Sequence, residues 1–332
     1  MNKICYITGL CLVLCLLGGC GKKAEPVSKS GFALNTFISI TVYDENADAQ
    51  KILDECFALC SRYENEFSRT ISSSELSRIN SAGGVPVSIS KDMFSILEKG
   101  LYYGKLSDGL FDITIAPLSS QWDFTAENPI VPDADALAAA RPLVSYKNLT
   151  LDASAQTACL LNPEAAIDLG GIAKGFIADR LKEYLLREDV SSAIIDLGGN
   201  ILTIGHKPDN SNFTIGIKEP FSETGAISCG VSVADKSVVT SGTYQRYFTA
   251  DGVFYHHILD PLTGYPADTD LSSVSIISEA SADGDALSTT CMLLGTQKGL
   301  ALIESLPDTE AIFITKDHVL HYTSGMEQYL VH

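Results

Sequence analysis

The stretch I-D-L-G-G-I-A-K-G-F-I-A-D-R-L-K-E-Y-L, Ile167 to Leu185, joins a glycine turn to an amphipathic helix. An apolar approach ends at Asp168, Gly170 and Gly171 follow, and Lys174 and Gly175 come one turn later. Glycine tolerates a positive φ that other residues resist, so the pair predicts a tight turn. Beyond it Ala173, Phe176, Ile177, Leu181, Tyr184 and Leu185 recur at helical spacing, while Asp179, Arg180, Lys182 and Glu183 take the other face. A helix N-terminus with free N–H groups, a positive dipole end and a nearby ammonium suits an anion, phosphate above all. Neither a full P-loop nor G-x-G-x-x-G is present, and a plain strand-to-helix corner with a solvated lysine also accounts for these residues.

The chain around this turn has 332 residues and 45% hydrophobic content, enough for one large domain or two. A net charge of −18 argues against nucleic acid and against electrostatic attachment to anionic lipid. A phosphate ligand therefore needs a local positive site or a metal. At the amino end Lys3 precedes an apolar run, Ile4 to Leu17, too short to span a membrane and suited to a secretory signal. Leu17-Gly18-Gly19-Cys20 resembles the bacterial lipobox. Residues 1–19 are thus expected to be a lipoprotein signal peptide, Cys20 the lipidated residue, 20–30 a tether, and 31–332 the domain. That places the domain in the bacterial cell envelope, outside the cytoplasm and lipid-anchored to a membrane. Cys56, Cys60, Cys159, Cys229 and Cys291 then remain, with no C-x-x-C spacing to suggest zinc or a disulfide framework. Cys56 and Cys60 fit the buried face of one helix.

Phe32 to Tyr43 alternates and predicts the first strand; Asn46 to Tyr63 and Ser90 to Ser107 predict amphipathic helices. Ser72 to Ser74 offers a cap for a short helix in E-L-S-R-I-N. Asp108 to Phe124 mixes a glycine turn, an aromatic, a carboxylate and the only tryptophan, as a binding wall does. Pro129 to Ala140 reads as a turn and short helix, and Leu149 to Leu161 as a pair of strands. A second D-L-G-G, Asp196 to Gly199, lies between two apolar runs, and Phe213 to Lys218 and Gly230 to Val239 add period-two strands. The fold class is therefore α+β with a largely antiparallel sheet.

Asp285 and Thr289 stand four apart at the start of an apolar helix, where an aspartate and a hydroxyl on one face supply two hard oxygen ligands to Mg²⁺. Capping of that helix by Asp283 or Asp285 is the plainer alternative. His256 and His257 are adjacent, so on a strand at most one serves a given site.

Taken in order, L-N-T at Leu34, E-L-S-R-I-N at Glu75, G-L-F-D-I-T-I-A-P-L at Gly109, D-L-G-G-I-A-K-G at Asp168, T-S-G-T-Y-Q-R-Y at Thr240, Y-H-H-I-L-D-P-L-T-G-Y-P at Tyr255 and D-A-L-S-T-T at Asp285 resemble the ApbE family of flavin transferases. The resemblance implies a single ApbE-type, T-fold-like catalytic domain with an FAD cleft between sheet and flanking helices. It also implies Mg²⁺-dependent transfer of FMN from FAD to a threonine hydroxyl of an acceptor flavoprotein, through a phosphoester bond, with AMP released. On this likeness Asp168 and Lys174 contact FAD, and the Gly171 carbonyl completes a metal site with Asp285 and Thr289. Leu34, Leu110, Phe111 and Asp112 line the flavin side, and Ile258 touches the cofactor. His257 assists deprotonation of the acceptor, aided by Asp260.

Two positions depart from the family pattern. Ser288 stands where some members carry a second metal carboxylate, and Thr70 is small where some carry an aromatic beside the flavin or adenine. The departure at Thr70 keeps a second activity in view, Mg²⁺-dependent hydrolysis of FAD to FMN and AMP; a flavin-binding lipoprotein without chemistry is a third.

Overall fold

The computed structural model describes residues 25–45 and 48–331. The signal sequence and Cys20 lie outside them. Eight strands form one sheet: β1 (Val27–Ala33), β2 (Thr36–Val42), β3 (Ala193–Leu197), β4 (Asn200–Ile204), β5 (Ser237–Gly242), β6 (Leu271–Ser278), β7 (Glu310–Thr315) and β8 (Leu320–Tyr322). They lie side by side in chain order and every neighbouring pair is antiparallel.

The alternation of T-F-I-S-I-T-V explains one face of this sheet: Ile38, Ile40 and Val42 are fully buried while Phe37 stays in solvent. Four helices cover that face: α1 (Ala49–Phe67), α2 (Lys91–Leu106), α3 (Ala173–Arg187) and α4 (Ser281–Glu304). In α1 the buried Ile52, Leu53, Cys56, Cys60, Tyr63 and Phe67 recur at helical spacing, and burial pushes the thiols of Cys56 and Cys60 up to about 12. All the cysteines of the described residues are free. The opposite face is covered over its middle by the hairpin Phe213–Lys218/Ile227–Val233, whose Phe213, Ile215 and Val231 pack on Val238, Ile277 and Ile312. A third apolar cluster gathers Leu118, Trp122, Leu137, Phe248 and Leu259 beside the hairpin Tyr247–Ala250/Val253–His256.

Ser74 caps the helix Glu75–Asn80, accepting from Ser77 N at 2.9 Å, and α2 and the hairpin Leu149–Asp152/Thr157–Leu160 fall where the periodicity puts them. Three expectations are corrected. The alternating run from Phe32 is two strands rather than one, because Leu34 and Asn35 adopt φ of 54° and 56° and reverse the chain in a two-residue turn. The sheet already begins at Val27, inside the segment expected to be tether, since Ser28 and Ser30 pair with Thr41 and Ser39. The strand read from Gly230 to Val239 is broken at Asp235, which has φ of 52°. No helix among the described residues is long and apolar enough to cross a membrane.

Candidate active site

The N-termini of α3 and α4 meet. A Cβ on Gly175 would lie 2.2 Å from the Ser281 carbonyl oxygen, so the two helices touch backbone to backbone only because this residue is glycine. Each helix end is satisfied by a carboxylate of the other. Asp179 on α3 accepts from Ser281 N at 2.7 Å and Ala282 N at 3.0 Å, capping α4. Asp285 on α4 accepts from Gly175 N at 2.9 Å in the first turn of α3, and its other oxygen lies 3.4 Å from Lys174 Nζ. Neither Asp283 nor Asp285 caps its own helix. Asp283 instead pairs with Lys99 and accepts from the Tyr103 hydroxyl at 2.7 Å.

This corrects the reading of the opening turn. The helix end expected to hold a free anion already holds a protein carboxylate, and positive charge there is left to Lys174. Neither Gly170 nor Gly171 has a positive φ. Asp168 Oδ1 accepts from Gly170 N at 2.9 Å, and Ile172 N and Ala173 N both donate to Leu169 O, which winds the chain directly into the helix. Gly171 is needed for closeness instead: its missing Cβ would sit 3.1 Å from the Phe111 ring and 3.6 Å from Thr289 Oγ1.

Lys174, Gly171, Asp285, Ser288 and Thr289 thus gather at one place. Asp285 is buried, and Ser241 at the end of β5 holds the α4 hydroxyls, lying 2.8 Å from Ser288 Oγ and 3.5 Å from Thr289 Oγ1. Ser288 also donates to the Asp285 carbonyl at 2.9 Å, so its hydroxyl is the most engaged of the group. No cluster of three or more His, Cys, Asp or Glu forms among the described residues. The set is one carboxylate with neutral oxygens from Gly171 and Thr289, hard donors that fit Mg²⁺ and not a soft metal.

The half-buried Asp168 carboxylate is held by protein donors. Its Oδ2 accepts from Ser119 Oγ at 2.8 Å and from Arg69 Nε at 2.9 Å, which brings exposed Thr70 beside it. The Asp112 carboxylate is likewise spent on its own loop, accepting from Thr114 N and Oγ1 and from Tyr146 N. Burial raises its pKa against those hydrogen bonds. Of the triplet expected on the flavin side, Phe111 reaches the glycine turn and Leu110 stays partly exposed.

The two histidines separate cleanly. In His256 both nitrogens are engaged, Nε2 with the Ala267 carbonyl at 3.2 Å and Nδ1 with Ile258 N at 3.3 Å. His257 keeps some exposed surface, while its Nδ1 is shielded and has no partner. An unpaired buried nitrogen costs about 1–3 kcal/mol, which a bound ligand or acceptor recovers by hydrogen bonding to it. Burial first, then the charge of Arg246, hold His257 down to about 4, with Lys174 contributing. His257 N donates to Arg246 O at 3.1 Å and Arg246 Nη2 to Asn35 O at 3.3 Å, linking His257 and buried Ile258 to the Leu34 turn. Asp260 stands apart: its Oδ1 accepts from Leu262 N at 2.8 Å within its own turn, and none of its hydrogen bonds reaches His257.

Sequence reasoning missed Arg69, Ser119, Asp179, Ser241 and Arg246. Each sits in or beside a stretch already singled out, but a polar residue beside a motif carries no local sign of its partner.

Residues 34–313 match the ApbE family. The chain belongs to that family. It is 35% identical over 335 residues to the FAD:protein FMN transferase of Treponema pallidum, with 96% of this chain and 92% of that protein aligned. To a protein of the same description from Klebsiella pneumoniae it is 37% identical, over 87% and 89% of the two chains. The crystal structure of the ApbE protein from Thermotoga maritima superposes with a TM-score of 0.86 at 29% identity, covering 93% of this chain and all of that one. The flavin transferase ApbE from Vibrio cholerae superposes with a TM-score of 0.82 at 27% identity, covering 92% and 99%. The sheet and flanking helices are thus the ApbE fold, and the matched segment starts at the Leu34 turn and contains every site residue named above.

Proposed function

We propose that this protein transfers FMN from FAD to a threonine hydroxyl of an acceptor protein, releasing AMP. The observation that carries the reading is the convergence of Asp285, Lys174 and Thr289 on the glycine turn of an ApbE-family chain. In the reaction the acceptor hydroxyl oxygen forms a bond to the FMN phosphorus, the P–O bond to the AMP phosphate breaks, and the hydroxyl proton passes to His257. His257 suits this task because it is neutral at physiological pH and has a nitrogen free of other partners. Lys174 offers its ammonium to the pyrophosphate, and Asp168, held by Arg69 and Ser119, fixes the turn on which the ligand lies. Asp285, Thr289 and the Gly171 carbonyl would hold Mg²⁺, which supplies charge stabilisation to the leaving phosphate. The rest of the work is positioning in a site of low dielectric.

Asp260 is kept as a candidate aid to His257, acting through the turn it braces. Anchoring through Cys20, which would set the domain outside the cytoplasm on a membrane of the cell envelope, belongs to the same proposal.

The test is incubation of the full chain in detergent with FAD, MgCl₂ and a flavin-free acceptor domain. A fluorescent acceptor band on a denaturing gel, with one AMP per flavin attached, supports transfer. FMN and AMP appearing at the same rate with no acceptor present would instead establish hydrolysis.

A further inference from the structure

Two groups of exposed aromatic rings meet at Arg246, and the chemistry above uses neither. The hairpin Tyr247–Ala250/Val253–His256 carries aromatics on both faces. Phe248 and Tyr255 turn toward Trp122. Tyr247 and Phe254 turn the other way, 4.9 Å apart, and Phe221 closes on them at 5.9 and 5.8 Å. These three rings remain 46%, 39% and 46% exposed for Tyr247, Phe254 and Phe221 respectively. Phe221 is also strained, holding φ of 60°, a conformation that a bulky side chain rarely adopts. Beside them a cleft of about 450 Å³ runs to His256 and Lys316. The second group is Phe32 and Phe37, cross-strand partners at the β1–β2 turn, 75% and 64% exposed. Arg246 joins the two groups, since it precedes Tyr247 and binds the Asn35 carbonyl, while its own carbonyl accepts from His257 N.

Clustered aromatics left in solvent beside a polar site mark an interface. We propose that Phe221, Tyr247 and Phe254, together with Phe32 and Phe37, dock the acceptor polypeptide. They seat apolar side chains that flank its reactive hydroxyl and so present that hydroxyl to His257. The inference rests on the transferase reading above, which requires a second, macromolecular substrate at His257 while FAD occupies the Lys174 side. The patch is continuous with that approach through Arg246, which precedes Tyr247, accepts from His257 N and reaches the Asn35 carbonyl in the turn between Phe32 and Phe37. A membrane is the poorer occupant: the rings stand beside a cleft whose lining holds one carboxylate, Asp268, and one ammonium, Lys316, and a chain of net charge −18 is repelled by an anionic leaflet.

The experiment measures binding apart from turnover. Full-length chains carrying Phe221→Asn with Phe254→Ser, or Phe32→Ser with Phe37→Ser, are titrated against a fluorescein-labelled, flavin-free acceptor domain, and FAD affinity is measured in parallel. Asn relieves the strain at position 221, so the first variant retains its fold, and intact FAD binding verifies folding of both. Docking predicts acceptor affinity weakened about tenfold or more in both variants, with FAD affinity changed by less than about twofold. Acceptor affinity equal to wild type overturns the proposal. So does a parallel loss of FAD affinity in a variant whose melting temperature equals that of wild type, which would assign the rings to the nucleotide site. Loss of co-sedimentation with phosphatidylcholine–phosphatidylglycerol vesicles at unchanged acceptor affinity overturns it in favour of a membrane surface. A wild-type chain that binds the acceptor through these rings yet attaches no flavin upholds docking and sinks the transferase reading.

Discussion

At the scale of single residues the site divides its labour by environment. Asp285 is a buried carboxylate with a backbone N–H on one oxygen and a loosely placed ammonium on the other, an arrangement open to a cation. Asp285→Ala is expected to reduce Mg²⁺-dependent AMP release from FAD to the no-enzyme level, measured by chromatography across a metal titration. Lys174 carries the positive charge of the turn; Lys174→Ala should weaken FAD binding about ten- to a hundredfold, the worth of a charge-assisted hydrogen bond, read from flavin fluorescence. An unchanged affinity would remove the lysine from the nucleotide site. His257 is lowered from 6.5 to about 4, so its neutral base form persists as pH falls through 6.5 and is lost only near 4. The acid limb that His257 imposes on kcat/KM should therefore appear near pH 4 and not near 6.5. His257→Ala should cut transfer about 10²–10⁴-fold while leaving FAD affinity unchanged.

At the scale of elements the site is a contact between two helix ends, and its stability sits in a few atoms. Gly175→Ala places a methyl against the Ser281 carbonyl, which forces α3 and α4 apart. The expected cost is about 1–3 kcal/mol of unfolding free energy together with loss of metal-dependent turnover, checked by denaturant titration and assay. Asp179→Ala removes the cap of α4 and should cost about 1–2 kcal/mol. Asp179 also has a pH signature. Its pKa is raised from 3.8 to about 6, chiefly by burial, so the folded chain binds the proton more tightly than the unfolded chain. Stability contributed by this group is thus greatest below pH 3.8 and declines as pH rises toward 6. Asp179→Asn should remove that slope between about pH 4 and 6, seen by comparing melting temperatures of the two proteins across the window.

At the scale of the whole molecule, eight antiparallel strands in chain order form a platform, and the long insertions between β2 and β3 and between β6 and β7 carry the helices that build the site. Elements with strong local periodicity were legible in the sequence: α1, α2, α3, the hairpin at Leu149 and the Ser74 cap. The Leu34–Asn35 turn was not, because Leu is a poor signal for positive φ and only the pairing of Val27–Ala33 with β2 forces it. The order of motifs along the chain pointed to the family, and it named Lys174, Gly171, Asp285 and Thr289, which the fold brings together. Arg69, Ser119, Ser241 and Arg246 escaped it because the partners of their side chains, which give them their roles, lie 47 to 211 residues away along the chain, not in their own surroundings.

The two D-L-G-G segments separate what each level decides. At Asp196–Gly199 both glycines take positive φ, 70° and 89°, in a hairpin turn between β3 and β4. At Asp168–Gly171 neither does, and the chain passes into a helix. Sequence by itself determined that strand follows one and helix the other, because periodicity beyond the turn is a local property. Only the tertiary structure decided what the glycines are for: room for Thr36 beside Gly198, and room for Phe111 and Thr289 beside Gly171. It also decided that the helix end faces Asp285, since the match of a carboxylate to a helix terminus 110 residues away in the chain depends on how two helices pack on one sheet.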